Sequence, residues 1–235
     1  MTISHHPRDD VLLDLAAGRL AAGPALLASV HARTCPQCGA RLRALEAAGG
    51  VLLESSPPQP LRADAFARVM ERIAAPAAHG AAQAAALPPL AGGRSPADPG
   101  TAETGRPEWP EGAPWPAGLD GCRFGPWKWI APGMRWSRLL APPEAAANVF
   151  LLRIGPGRSL PSHTHGGVEW TQVLHGRFHD GHALFGPGDF DAADGSIHHQ
   201  PVVQGTDDCI CLAAVDGRLR FDGLLARLAG SLVGL

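Results

Sequence analysis

Residues 76–116 contain too few large apolar side chains to build a hydrophobic core, and they divide the chain into two unlike parts. The segment PAAHGAAQAAALPPLAGGRSPADPGTAETGRPEWPEGAPWP is rich in proline, glycine and alanine, which is typical of semi-extended linkers. A chain of 235 residues is long enough for a core on each side of this break. We therefore predict a first domain at 1–75, a linker at 76–118 and a second domain at 119–235.

The two predicted domains differ in the spacing of their apolar residues. In the first domain, apolar residues recur every three or four positions, as in Val11, Leu12 and Leu15, which is the pattern of amphipathic helices. In the second domain, short apolar runs such as NVFLLRI, VEWTQVL and CICLAAV are separated by GPG and HG turns, as strands are. The prediction is a multidomain α plus all-β chain, with a small helical bundle followed by a β-sandwich or β-barrel.

The segment HARTCPQCG places His31, Cys35 and Cys38 within nine residues. His31 and Cys35 share a helix face, and Cys38 begins the next helix, so the three side chains can bind one tetrahedral Zn²⁺. A fourth ligand is required, and either His5 or His6 at the start of the chain can supply it. A redox Cys-x2-Cys pair is the main alternative, but such pairs follow a strand, and no strand pattern precedes this one.

The segment AFARVMERIAA carries Phe66, Val69, Met70 and Ile73 on one stripe of a predicted helix. A domain this small cannot bury every apolar face, and an exposed stripe of this kind suits binding in the groove of a partner protein. The alternative is that the helix packs against the other helices of its own domain. The residue pattern leaves both open.

A second group of metal-ligand residues occurs in the strand-rich half. His163 and His165 are two residues apart on a predicted strand and point to the same side, and Glu169 follows on the next strand. Together with the later His199, they form a cluster of three histidines and one carboxylate. Residue types and spacing resemble the metal motifs of cupins, which implies a cupin β-barrel at about residues 120–220. These ligands suit Zn, Fe, Mn, Ni or Cu.

Cys209 and Cys211 lie on one face of the predicted strand CICLAAV. Two thiols near a metal could serve as reserve soft ligands or as a redox site for oxidant chemistry, although their spacing along the strand makes a disulfide between them unlikely. The alternative is that both act as small apolar core residues, because buried cysteine commonly does so.

Composition excludes several classes of function. The net charge is −2 and no basic stripe occurs in the first domain, which argues against direct DNA binding. No signal peptide or uninterrupted apolar span is visible, so we expect a cytoplasmic protein with no membrane contact. Five cysteines in a chain of this length do not suggest a disulfide framework.

The two histidines near the start, the HARTCPQC segment and the cupin-like second half together resemble the ChrR-type zinc-binding anti-sigma factors. The resemblance implies that His6 is the fourth zinc ligand and that the cupin also carries a divalent metal such as zinc. It further implies a non-enzyme that binds an extracytoplasmic-function-type sigma factor as a 1:1 heterodimer. Release would follow an oxidative signal such as singlet oxygen.

Two other functions fit parts of the sequence. One is a metal-dependent cupin oxygenase or isomerase with an accessory zinc-binding interaction domain. The other is a helical DNA-binding regulator with a ligand-sensing cupin, which the lack of a basic stripe disfavours.

Overall fold

The computed structural model describes residues 2–74, 105–140, 148–216 and 219–221. For His165 and residues 219–221 only the backbone is described. Most of the predicted linker at 76–118 lies outside these ranges, and so does everything after residue 221. The end of the linker, 105–118, is described, and its Trp109 and Trp115 pack against the apolar core.

Four helices occupy the first 74 residues: α1 (Asp9–Ala16), α2 (Ala22–Thr34), α3 (Pro36–Glu54) and α4 (Ala65–Ala74). Two acidic residues, Asp9 and Asp10, lie in the first turn of α1, where negative charge favours the helix dipole. Pro36 begins α3 at a position where its missing N–H is not needed. Arg41 of α3 pairs with Asp9 of α1, which links the two helices at the surface.

Eleven strands are found in the described part of the second half. Their bounds are β1 (Lys128–Ala131), β2 (Met134–Arg138), β3 (Val149–Ile154), β4 (His163–His165), β5 (Glu169–His175), β6 (Phe178–His179), β7 (Leu184–Phe185), β8 (Phe190–Ala193), β9 (Val202–Val203), β10 (Cys209–Val215) and β11 (Leu219–Phe221). Each named pair of neighbouring strands is antiparallel.

The largest sheet has six strands in the order β1-β2-β3-β10-β5-β8. Its central strands, β3 and β10, are apolar along almost their whole length because both faces of the sheet are covered. Leu212 and Ala214 of β10 face the helices, whereas the alternate residues Cys211 and Ala213 face a second apolar cluster on the other side. The six-stranded sheet is therefore the boundary between two cores.

The prediction of a closed β-barrel is wrong. Within the described ranges, β4 pairs with β11 in a separate two-stranded sheet, and β7-β6-β9 form a separate three-stranded sheet. These strands are two or three residues long and are too short to continue the ladder of the large sheet. The fold is cupin-like, with antiparallel sheets that are not joined into one closed barrel.

Helix α2 packs directly on the six-stranded sheet. Ala25, Leu27 and Ala28 of α2 belong to the same buried cluster as Leu151 of β3 and Leu212 of β10. Leu27, Leu151 and Leu212 are fully buried. The helices and the sheet therefore share one hydrophobic core, so their folding is expected to be coupled.

Helix α4 differs from the other helices because none of its residues is buried. Phe66 is 78% exposed and Ile73 is 71% exposed, and Val69 and Met70 on the same stripe are each about half exposed. The end of α3 is similar, since Val51, Leu52 and Leu53 are all mostly exposed. We call the four stripe residues of α4 the α4 surface.

Within the described residues, none of the helices has the length and apolar character that crossing a membrane requires.

Candidate metal centres

Four ligand atoms from the first domain meet in one place. His6, His31, Cys35 and Cys38 each direct a ligand atom to within 4.8 Å of the others, and we call this set the helical cluster. His6 Nδ1 lies 3.4 Å from His31 Nε2 and 3.4 Å from each sulfur. A tetrahedral zinc site has ligand-to-ligand distances of about 3.3–3.8 Å. The arrangement therefore fits a four-coordinate zinc ion.

The junction of α2 and α3 places three of these ligands. Cys35 lies between the helices, and its N–H donates to the carbonyl of His31 at 2.8 Å. The helices approach so closely that a Cβ on Gly39 would lie 2.6 Å from the carbonyl oxygen of Ala32. Any side chain at Gly39 would push α3 away and separate Cys38 from His31.

Burial makes ionisation of the thiols in the helical cluster costly unless a metal ion is bound. Burial, and then the neighbouring Cys35, raises the pKa of Cys38 to about 12. Burial lowers the pKa of His31, so its imidazole is neutral and able to bind a metal. A divalent ion would remove the cost of ionising two adjacent buried thiols, because coordination deprotonates them. The donor set thus fits the metal that its spacing predicts.

His5 is directed elsewhere, although it adjoins His6. Its ring lies 4.3 Å from that of Phe185, and its Nδ1 is 3.4 Å from Asp189 Oδ2. The structure therefore brings His6, and not His5, into the helical cluster. Spacing alone left this choice open, because the deciding contacts come from a part of the chain more than 180 residues away.

A second set of ligand atoms lies on the opposite side of the sheet. His163, Glu169 and His199 come within 4.8 Å of one another, and we call them the cavity cluster. His163 Nε2 is 3.5 Å from Glu169 Oε2, and His199 Nε2 is 3.9 Å from the same oxygen. The side chain of His165, the fourth predicted ligand, lies outside the described part of the structure.

Local structure orients the histidines of the cavity cluster. His163 and His199 are joined across an antiparallel bridge, with backbone hydrogen bonds in both directions. His163 Nδ1 lies 2.8 Å from the carbonyl oxygen of Pro161, to which it donates, and this leaves Nε2 to accept a metal. The adjacent His198 is instead near Ser162 Oγ, at 3.1 Å.

Glu169 and His199 line a cavity of about 40 Å³. This volume holds about three water molecules. Asp191 also lines it, and together with Asp180 and His199 forms a second group of potential ligands. Burial, and then the negative charges of Asp180 and Glu169, raises the pKa of Asp191 to about 6. Both aspartates were missed by sequence reasoning, since neither belongs to the cupin spacing.

Cys209 and Cys211 line the same cavity. Their sulfur atoms are 3.7 Å apart, and both are free, buried thiols. The contact with Cys209, and then burial, raises the pKa of Cys211 well above its ordinary value. A protonated thiol is a weak nucleophile, so Cys211 is not pre-activated.

The helical cluster also receives contacts from the sheet that the spacing of its ligands did not predict. Gln172 of β5 is hydrogen-bonded to His31, and Asp189 is hydrogen-bonded to the segment that contains His6. Neither residue type is diagnostic of a metal site, and neither lies near the ligands of the helical cluster in sequence.

Comparison with known proteins gives consistent results. The family model for the ChrR cupin-like domain matches residues 122–216. The anti-sigma-E factor ChrR of Cereibacter sphaeroides is 37% identical over 232 residues, which is 97% of each chain.

Among solved structures, the crystal structure of Rhodobacter sphaeroides SigE in complex with the anti-sigma ChrR matches with a TM-score of 0.65. The identity is 33%, covering 92% of this chain and 100% of that one. An acetylacetone dioxygenase from Acinetobacter johnsonii is 18% identical with a TM-score of 0.33, covering 38% of this chain and 63% of that one. That last likeness is too low to support any conclusion about activity.

Proposed function

The chain belongs to the ChrR family of anti-sigma factors, and we propose that it binds a sigma factor through its helical first domain and releases it after an oxidative signal at the cupin. The complex is expected to contain one copy of each protein. We retain residues 1–75 and 119–235 as its two functional units.

The α4 surface is the observation that carries this proposal. Its four apolar side chains are exposed on a helix that buries none of its residues against the rest of the described chain. An apolar stripe of this kind is costly in water and is typical of helices that bind in a groove of a partner. The similar solved structure of ChrR in complex with SigE supports a sigma factor as that partner.

Zinc in the helical cluster would act as a structural metal. The four protein ligands would fill all positions of a tetrahedral zinc ion and would leave none for a substrate. The zinc would join the N-terminal segment to the α2–α3 junction through its four ligands, His6, His31, Cys35 and Cys38. This arrangement would shape the surface that binds the partner.

We propose that the cavity cluster, with His165 as a fourth ligand, binds zinc or another divalent metal and takes part in sensing. The cavity of about 40 Å³ admits small oxidants but is much smaller than the roughly 300–1,000 Å³ typical of sites for organic substrates. This supports a regulatory role over a cupin oxygenase or isomerase. Cys209 and Cys211 line the same cavity, so an oxidant that enters it, such as singlet oxygen, would reach both thiols although Cys211 is not pre-activated.

Binding to the partner can be tested by substituting the α4 surface in the full chain. We expect the double variant Phe66→Ser, Ile73→Ser to bind the cognate sigma factor at least about 30-fold more weakly, since two apolar anchors are lost. Inhibition of a sigma-dependent promoter should fall in parallel. Leu184→Ser, which alters an exposed leucine in β7, is the matched control and should leave binding unchanged. Full inhibition by the double variant would refute the assignment of the α4 surface.

The sensing role requires a separate experiment. The full chain and Glu169→Gln are compared in the promoter assay, with and without a photosensitiser and light. We expect the wild-type protein to release the sigma factor on illumination and the variant to retain it. If the two proteins respond equally, the cavity cluster has no part in sensing.

A further inference from the structure

The proposed metal ligand His31 forms a hydrogen bond with a residue of the cupin sheet. Its Nδ1 is 3.2 Å from Oε1 of Gln172, and both side chains are almost fully buried. Gln172 Nε2 donates to the carbonyl of Val173 at 3.3 Å, so the amide oxygen must be the atom that faces His31. His31 Nδ1 therefore donates, and Nε2 is left with its lone pair facing the helical cluster.

A second sheet residue limits the movement of the same imidazole. Phe190 of β8 lies opposite Gln172 of β5 in the strand pairing. Its ring meets that of His31 edge to face, with centroids 5.7 Å apart. Gln172 thus sets the direction of the His31 ring while Phe190 restricts its tilt.

The sheet also holds the segment that leads to His6. Asp189 Oδ1 accepts the N–H groups of Ser4 at 2.7 Å and His5 at 2.9 Å. The N–H of Phe190 donates to the carbonyl of His5 at 3.1 Å. These bonds tie the two residues before His6 to the edge of β8.

Close packing at Gly188 supports the same attachment. Gly188 has a φ of +93°, which favours glycine, and a Cβ there would lie 2.7 Å from the side chain of Ile3. The backbone before Asp189 is thus shaped to receive the N-terminal segment.

We propose that the cupin sheet holds the helical metal site in its working geometry, with Gln172 as the positioning residue for His31 and Asp189 as the positioning residue for His6. The inference rests on the proposed zinc in the helical cluster and extends it, because the site becomes a joint product of both halves of the chain. Metal retention by the first domain then depends on the sheet beneath it.

The test measures zinc affinity of the full chain by competition with a chromogenic chelator. Gln172→Leu keeps the size of the side chain but removes the acceptor for His31 Nδ1, and we expect zinc affinity at the helical cluster to fall about 10- to 100-fold. Asp189→Ala should lower it by a smaller factor, because it acts through the backbone of residues 4 and 5. Gln204→Leu alters an exposed glutamine and should change nothing.

Two further measurements separate positioning from general stability. Gln172→Glu restores an acceptor for His31 and should recover most of the lost affinity. In the cobalt-substituted full chain, Gln172→Leu should shift the visible bands of the site that contains thiolates, whereas a purely structural role would lower the melting temperature and leave those bands unchanged.

The outcomes also distinguish this inference from the proposed function. If wild-type protein binds no zinc at the helical cluster, the proposed structural zinc is wrong and this inference fails with it. If wild-type protein binds zinc, and folded Gln172→Leu and Asp189→Ala both bind it equally well with unchanged cobalt spectra, only the positioning role is refuted.

Discussion

The helical cluster and the cavity cluster each contain two imidazoles but differ in their other ligands and in what surrounds them. The first has two thiols and two imidazoles packed between helices and sheet, with ligand atoms from four residues in contact range. The second has two described imidazoles and a carboxylate beside a cavity that also exposes Asp191 and two thiols. Both sites are built largely from buried side chains, but only the second adjoins a cavity, and this gives it room to meet small molecules.

The largest effect is expected when a thiol is removed from the helical cluster. We expect Cys35→Ser to abolish zinc binding there and to unfold the helices around it, since structural zinc contributes about 10–16 kcal/mol in small zinc domains. Metal analysis and far-UV circular dichroism measure both effects. Cys122→Ser, at a half-buried cysteine outside both clusters, is the control and should retain the metal. A folded Cys35→Ser protein with full zinc content would contradict the structural role.

The cavity cluster should respond differently to loss of a ligand. Glu169→Gln is expected to lower metal affinity by more than the roughly 10- to 100-fold seen when a supporting residue is lost, while the fold is kept. Metal content should fall from about two ions per chain to about one. Glu111→Gln changes an exposed carboxylate and serves as the control. Unfolding of the Glu169→Gln protein would show that this site, too, is structural.

Because the helices and the sheet share one core, we expect the two metal sites to lose their structure in the same unfolding transition, despite their different surroundings. Leu27→Ala should lower the free energy of unfolding by about 2–5 kcal/mol, because it leaves a cavity between α2 and the sheet. Urea unfolding followed by circular dichroism and by tryptophan fluorescence should give coincident transitions. Leu13→Ala, at a half-exposed position on α1, should cost less than about 1 kcal/mol. Two separate transitions would mean that the halves fold independently.

The smallest expected effect concerns the attachment of the N-terminal segment. Burial opposes ionisation of Asp189, but N–H groups of Gly186, His5 and Ser4 outweigh it and lower the pKa of Asp189. A lowered folded pKa means that the stabilisation is present above the unfolded pKa near 4 and is lost as the pH falls through the folded value.

Asp189→Asn should therefore cost about 1–2 kcal/mol at neutral pH, and its stability should fall less steeply than that of the wild type below about pH 4. Thermal unfolding at a series of pH values measures this. Asp207→Asn, at an exposed position, should follow the wild-type curve. Identical pH profiles for Asp189→Asn and wild type would contradict the role of Asp189 in attaching the N-terminal segment.

Sequence reasoning was most informative where chemistry depends on local spacing. The helices of the first domain, the strand-rich second half and the ligand candidates all follow from periodicities of a few residues. The ChrR-family assignment is confirmed by the relative that matches almost the whole chain. The closed barrel was wrong, because strand pairing depends on the lengths of β4, β6, β7 and β9, which the apolar pattern does not specify.

The contacts between the two halves were not predictable from the sequence. Gln172 is an ordinary residue of an apolar strand, and its bond to His31 spans 141 positions. The Pro-rich composition of residues 76–116 suggested separate domains, yet α2 and the sheet share one core. Helix α2 is buried because its surface complements that of the sheet, and the two surfaces meet only in the folded chain. The apolar spacing within α2 therefore does not predict this contact.

Strand β5 carries Glu169 on one face and Gln172 on the other, only three positions apart. Three residues of extended chain span about 10 Å. A disturbance at the cavity therefore has a path to the helical cluster across the thickness of one sheet, without passing through residues 75–104. Lengthening or shortening that segment should leave communication between the two ends of the molecule intact.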